Sequence, residues 1–307
     1  MILVTGATGT VGKEVVRRLT VAGERPRVFV RDAERARQQF GELVEYATGD
    51  LNSPATIVNS LRGVDRVFLV TPQSARQPDW ERQIICAARQ RGAAHVVKLS
   101  VFRADRRSPL RIARQHREAE RMLEESGLAF TILRPVFFMQ NLMAMVHDGV
   151  VATAARDGRI AMVDARDIAS VAASALTSGD HEGQTYTLTG PEAHSFGEVT
   201  EILSQHAGAE IKHVHVPPDR VRAALRAAGR PEWFANDMAQ LHTMLINGYE
   251  DIVTTDISRV IGTPPSTVAQ FAVNYADELA GKDTIRPITN LGTTVQESLV
   301  PSAASSA

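Results

Sequence analysis

The sequence predicts an α/β protein in which a doubly wound parallel sheet is joined by a smaller carboxyl-terminal α/β lobe. Three observations predict it. The first nineteen residues read as strand, glycine turn and helix. Short apolar runs then alternate with helix-patterned segments, as in a parallel sheet covered on both faces. A chain of 307 residues also suits a large sheet domain carrying a smaller lobe.

In the first segment, Ile2, Leu3 and Val4 form an apolar run short enough for a buried parallel strand. Val11, Val15, Val16 and Leu19 recur at helical spacing. Between them Gly6, Gly9 and Gly12 are spaced G-x-x-G-x-x-G. Such glycines let the backbone turn tightly, approach a pyrophosphate and pack the helix start against the strand. The helix N-terminus then offers free N–H groups and a positive dipole end to the phosphates. Residues Gly6, Thr8, Gly9, Thr10, Val11 and Gly12 are the expected cradle. Its place between a strand and a helix makes this a Rossmann-type dinucleotide signature rather than a plain glycine-rich turn.

The second strand is expected over 27–31 and its helix over 32–41. The residue closing this strand meets the adenosine ribose, where an acid accepts the 2′-hydroxyl and an arginine accommodates a 2′-phosphate. Asp32 is well placed to cap the following helix. Arg31 is therefore assigned to the cofactor, and NADP(H) is expected in preference to NAD(H). Further strands are expected over 43–47, 66–70 and 95–99, and helices from Ser53-Pro54, over 78–91 and over 110–126. Asp50 and Leu51 should edge the adenine, while Thr71, Pro72 and Ser100 close strands at the carboxyl side where ligands gather. Cys86 reads as a small buried hydrophobe within its helix.

Composition narrows the partners. Acidic and basic residues nearly cancel, 35 against 34, so no global field recruits nucleic acid or an anionic membrane. Only Lys13, Lys98, Lys212 and Lys282 are lysines, and the arginines are scattered. A single cysteine, and a start without a signal-type apolar run, favour a cytoplasmic protein. No apolar stretch reaches membrane-spanning length.

The segment Thr5-Gly-Ala-Thr-Gly-Thr-Val-Gly12 resembles the phosphate loop of the extended and atypical short-chain dehydrogenases/reductases. Classical members of that superfamily carry a Tyr-x-x-x-Lys pair. Here Tyr46, Tyr186, Tyr249 and Tyr275 are followed at the fourth position by Asp50, Gly190, Val253 and Leu279, so the pair is absent. The helix over 110–126 instead carries His116, with Glu120 one turn later on the same face. An inward histidine can move a proton near neutral pH, which makes His116 the candidate catalytic residue. The alternative is that the pair buttresses the cofactor pocket.

From His116-Arg-Glu-Ala-Glu120 through Thr131-Ile-Leu-Arg134-Pro135-Val-Phe-Phe138-Met139-Gln-Asn141 the chain resembles the NmrA-like atypical short-chain dehydrogenases/reductases. The pattern is that of their bacterial NAD(P)H:quinone oxidoreductase and triphenylmethane reductase members, over roughly residues 1 to 280. The resemblance implies that Pro135 to Phe138 border the nicotinamide. Phe137, Met139, Asn141 and Met143 would then line the substrate pocket, although an aromatic and methionine cluster is also ordinary core. The implied activity is hydride transfer to a quinone or other conjugated apolar acceptor, since the cofactor supplies the chemistry. The family also contains silent binders, so an NADP(H)-binding redox sensor is the alternative from another class.

In the carboxyl half, Asp167 is expected to cap a helix, and Ser195 with Glu198 to form a capping box. A strand is expected over 211–216, with His213 and His215 on one face; too few ligands stand near for a metal, and none is expected. Trp233, Phe234, Met238, Leu241 and Met244 are candidates to cap the cleft, and a last helix is expected over 266–279. The expected organisation is a cofactor domain over 1–150, a mixed sheet completion and substrate lobe over 151–281, and a flexible tail over 282–307. Homo-oligomerisation is left open.

Overall fold

The computed structural model describes residues 1–280. The expected tail over 282–307 lies outside the described residues. Seven parallel strands make the central sheet: β1 (Ile2–Val4), β2 (Arg27–Val30), β3 (Glu45–Thr48), β4 (Arg66–Leu69), β5 (His95–Leu99), β6 (Ala129–Pro135) and β9 (Gln184–Leu188). Their order is β3-β2-β1-β4-β5-β6-β9. The chain runs outward from β1 to β3 and returns beside β1 as β4. The topological switch point is therefore the crevice at the carboxyl ends of β1 and β4.

Period-two alternation gives each face its core. Val4, Val28, Phe68, Val97 and Leu133 pack against α1 (Thr10–Val21) and α7 (Ala165–Thr177). Leu3, Phe29, Val67 and Val96 pack against α3 (Pro54–Ser60), α4 (Gln77–Arg91) and α5 (Arg111–Glu124). The short α2 (Ala33–Phe40) follows β2, with the Asp32 carboxylate accepting from Arg35 N–H as its cap.

Beyond β6 come α6 (Asn141–Met145), β7 (Val150–Thr153) and β8 (Arg159–Ile160). After β9, β10 (His194–Ser195) leads into α8 (Phe196–Ala207), and β11 (Lys212–His215) precedes α9 (Pro218–Ala227) and α10 (Glu232–Ile246). The described chain closes with α11 (Asp256–Ile261), α12 (Val268–Asn274) and α13 (Ala276–Leu279). Two small sheets, β10-β8 and β11-β7, build the lobe. Its core joins Met139, Met145, Val151, Phe196 and Phe271.

Several expectations shift. β3 begins two residues late, because Leu43 is exposed in the preceding turn. Cys86 is exposed: α4 buries the stripe Glu81, Ile84, Ile85 and Ala88, which leaves position 86 on the outer side. Asp164, not Asp167, caps α7, accepting from Arg166 N–H, while Asp167 accepts from Ser266 N–H at 2.7 Å. The last helix breaks at Tyr275 into α12 and α13. The Ser195–Glu198 capping box forms as expected.

Candidate active site

The turn between β1 and α1 is shaped by backbone proximity. Gly6 adopts φ +57°, and a Cβ there would meet Val70 Cγ1 at 2.8 Å. A Cβ on Gly12 would stand 2.1 Å from Gly6 O. Thr5 stitches this turn to the end of β4, its hydroxyl donating to Val70 O at 2.8 Å. Gly9 is the N-cap of α1 and makes no side-chain cap, and the first turn holds no acidic residue. The leading amides of α1 are thus left open at the switch point, which fits a pyrophosphate.

The other expected cofactor residues lie along the same sheet edge. Arg31 is exposed just past β2, and Asp32 beside it is committed to its helix. Asp50 turns its carboxylate onto Asn52 N–H at 2.6 Å, and Leu51 packs partly against the core under β4. Thr71 and Pro72 follow β4, Ser100 follows β5, and Pro135 ends β6. Thr71 and Ser100 are buried, and both hydroxyls are already spoken for.

Beneath this edge lies a polar network. Thr71 Oγ1 donates to Glu81 Oε1 at 3.0 Å, and Lys98 Nζ donates to Glu81 Oε2 at 2.6 Å. Lys98 Nζ is also 3.4 Å from His116 Nδ1, and the Gln77 amide is 3.1 Å from His116 Nε2. The Lys98 ammonium and the Gln77 amide nitrogen are both donors, while a neutral imidazole has a single accepting nitrogen, so His116 accepts from one of the two. Burial first, and then the Lys98 charge, push the His116 imidazole well below its usual range. His116 is buried as its apolar-stripe position implied, but it does not bond Glu120.

Glu120 looks the other way. It accepts from Ser100 Oγ at 2.6 Å, from Arg134 at 2.6 and 2.9 Å, and from Arg117 at 3.1 Å. Burial pushes this carboxyl up, yet the bonds from Arg134 and Ser100 hold it below the ordinary range. It ties the ends of β5 and β6 to α5.

Residues after β6 divide between two environments. Phe138 packs partly against the sheet core, while Phe137 meets Phe196 of the lobe edge-on at 5.9 Å. Met139 is fully buried in the lobe core, Met143 packs partly against it, and Asn141 opens α6 half-buried. Phe137 N–H donates to Glu250 Oε2 at 3.2 Å. Burial pushes the Glu250 carboxyl up to about 7, opposed by that bond and by Arg103. Next to it Tyr249 forms one wall of an open cleft of about 400 Å³, with Arg103, Ser108 and Arg134 on the others. The lobe closes over the start of α5 through Asp237 of α10, whose carboxylate accepts Ile112 N–H at 2.7 Å. Leu241 and Met244 pack beside Leu110 and Ile112 there, whereas Phe234 is buried in a separate cluster with Val216 and Val221.

Lys98, Glu81, Gln77 and Glu250 were not singled out by sequence reasoning. A lysine at the centre of an apolar strand was the one available signal for the first of them.

Among the described residues no helix is long and apolar enough to cross a membrane. The NmrA-like family model matches residues 1–270. An NAD(P)H azoreductase of Xenophilus azovorans is 39% identical over 280 residues, covering 90% of this chain and 98% of the relative. A solved NADPH-dependent quinone oxidoreductase of Escherichia coli, complexed with NADPH, superposes with a TM-score of 0.80 at 28% identity, covering 89% of this chain and 99% of that one. The Citrobacter sp. triphenylmethane reductase complexed with NADP(H) gives 0.76 at 26% identity, with coverages of 90% and 99%. With the glycine cradle at the switch point and a family match over most of its length, the chain belongs to the NmrA-like family.

Proposed function

We propose that the protein is an NAD(P)H-dependent oxidoreductase that passes hydride to a quinone or another conjugated aromatic acceptor, with NADP(H) preferred. The observation that carries the reading is the Gly6–Gly12 cradle, which only glycine can form, facing an uncapped helix start. The names of the azoreductase, quinone oxidoreductase and triphenylmethane reductase relatives support the acceptor class.

When bound, the cofactor supplies the hydride. Amides of residues 6–12 hold its pyrophosphate, and Arg31 takes the 2′-phosphate because Asp32 is occupied as a cap. Asp50 and Leu51 edge the adenine. Thr71, Pro72, Ser100, Pro135 and Phe138 border the nicotinamide half, and Phe137, Met139, Asn141 and Met143 shape the acceptor side. We assign residues 1–150 to the cofactor domain and 151–281 to a mixed segment that completes the sheet and adds the substrate lobe. His116 acts as a buttress: its ring is held between the Lys98 ammonium and the Gln77 amide, and through Lys98 and Glu81 it supports the position of Thr71. We place the protein in the cytoplasm, acting on small molecules rather than nucleic acid.

The test is NADPH and NADH oxidation against quinones, azo compounds and triarylmethane dyes, with cofactor binding followed in parallel. Turnover is expected, faster with NADPH. Tight NADPH binding with no turnover on any of these acceptors would favour a redox sensor.

A further inference from the structure

The cleft beside the β6 end is more basic than an apolar acceptor requires. Arg103, Arg107 and Arg134 line it, with Asp105 as the one acidic lining residue. Arg134 is neutralised by Glu120, to which it donates twice. Asp105 accepts the backbone N–H of Arg107 at 2.6 Å. Neither Arg103 nor Arg107 forms a carboxylate ion pair among the described residues. Against these two guanidiniums stands the single Asp105 carboxylate, so the lining keeps a net positive charge.

Arg103 is also held in an unusual way. Its backbone adopts φ +50°, a region that side-chain-bearing residues seldom enter and that clusters at functional sites. In that pose its guanidinium lies 5.0 Å from the Tyr249 ring and 5.1 Å from that of Phe102. The two rings themselves meet edge-on at 5.9 Å. Ring contact fixes the guanidinium while leaving its N–H groups without a carboxylate partner. A planar fork of donors next to an aromatic wall, in an open cleft beside the β6 end, suits an aromatic molecule carrying an acid.

We infer that this cleft binds the anionic substituent of the acceptor, a carboxylate, sulfonate or phosphate, on Arg103 and Arg107, so that acidic conjugated acceptors are preferred over neutral ones of the same ring system. The inference rests on the reductase reading and names its substrate class.

The experiment uses a matched pair, a quinone bearing a propanoic acid side chain and its methyl ester, in which the saturated linker keeps the two rings electronically alike. The ratio of kcat/KM for acid over ester is measured for the wild type, Arg107→Gln, Arg103→Gln and the double variant at saturating NADPH. The wild-type ratio is expected to be at least tenfold. It should fall to near one in the double variant, mainly through KM, and shrink as salt is raised. Arg103→Lys, which keeps the charge, should retain part of it. Arg107→Gln guards against misfolding, since that side chain holds no ion pair to lose.

A wild-type ratio near one, or a ratio the variants leave unchanged, overturns the proposal. So does a rise in KM for NADPH at constant ratio, which would hand the arginines to the cofactor. If neither quinone is reduced, the wider acceptor panel decides the reductase reading, and calorimetric titration of acid and ester into the NADP⁺-loaded protein decides the cleft separately. Binding of the acid alone, lost in the double variant, supports the anion site; equal or absent binding of both overturns it.

Discussion

Lys98 Nζ and Glu81 Oε2 stand 2.6 Å apart, with neither side chain exposed to solvent. One belongs to β5 and the other to the helix that follows β4, so the pair locks α4 to the strand edge where Thr71 sits. Each of two charges withdrawn from water needs the other as its ionic partner. Glu81→Leu leaves a buried ammonium without its carboxylate and should destabilise the fold by about 3–5 kcal/mol in urea denaturation. Replacing both, Lys98→Met with Glu81→Leu, should restore most of that loss. A double variant no more stable than the single one would show that packing, not charge, dominates the site.

His242 gives a second, pH-dependent expectation. Its Nδ1 accepts Ala154 N–H at 3.2 Å, and burial, with His213 nearby, pushes the imidazole down to about 4. The unfolded chain takes up a proton near the ordinary value of 6.5 and the native one does not, so stability is complete above that pH and is lost as pH falls toward 4. His116 adds in the same direction. His242→Gln, whose amide oxygen can keep the bond to Ala154, should flatten the acid limb by about 1.4 kcal/mol per pH unit. An acid limb of unchanged slope would remove His242 from it.

Glu250 works with the opposite sign. Its native carboxyl keeps a proton up to about 7, whereas the unfolded one releases it near 4.5. Stability from this group is therefore present at low pH and is lost as pH rises from 4.5 through 7. Glu250→Gln stays neutral and can still accept Phe137 N–H. It should be more stable than wild type at pH 8 by about 3 kcal/mol, and near parity at pH 4.5, in paired denaturation curves. Equal stabilities at pH 8 would show that Glu250 ionises there without penalty.

What the sequence makes legible is local. The Gly6–Gly12 turn, the Asp32 cap and the Ser195–Glu198 box each depend on residues a few positions apart. His116 and Glu120 show where that logic ends. One turn apart on α5, they invite a mutual bond, but Glu120 is taken by a two-point grip from Arg134 on β6 and by Ser100 after β5. A bidentate guanidinium on a buried carboxylate outcompetes a single imidazole contact. Lys98 and Glu81 meet only because β5 packs against α4, His116 joins them from α5, and Glu250 reaches Phe137 across 113 positions of chain. Spacing along a sequence carries no trace of such meetings.

The glycine turn permits a sharp comparison. Gly12→Ala would place its Cβ 2.1 Å from Gly6 O, which is backbone and cannot swing aside. The turn must open, and the amides it presents must move. NADPH affinity, followed by nicotinamide fluorescence, should fall at least tenfold, since each misplaced charge-assisted bond is worth roughly 1.5–3 kcal/mol. Gly179→Ala meets nothing within 4 Å and should leave both affinity and stability unaltered, as its control. Normal binding by Gly12→Ala would mean that the cofactor does not lie against this turn.

Arg31 tests the choice between the two nicotinamide cofactors. It is exposed just past β2, with a neighbour, Asp32, whose carboxylate is taken up as the cap of α2. NADPH and NADH differ only in the 2′-phosphate, so a residue that reads that group must discriminate between them while one that merely solvates the strand end cannot. Arg31→Ala should raise the Kd for NADPH tenfold or more and that for NADH less than threefold. The effect on NADPH should weaken at high salt, because the lost contact is an exposed ion pair. If both cofactors lose affinity alike, Arg31 shapes the adenosine pocket without recognising phosphate, and the preference for NADP(H) falls with it.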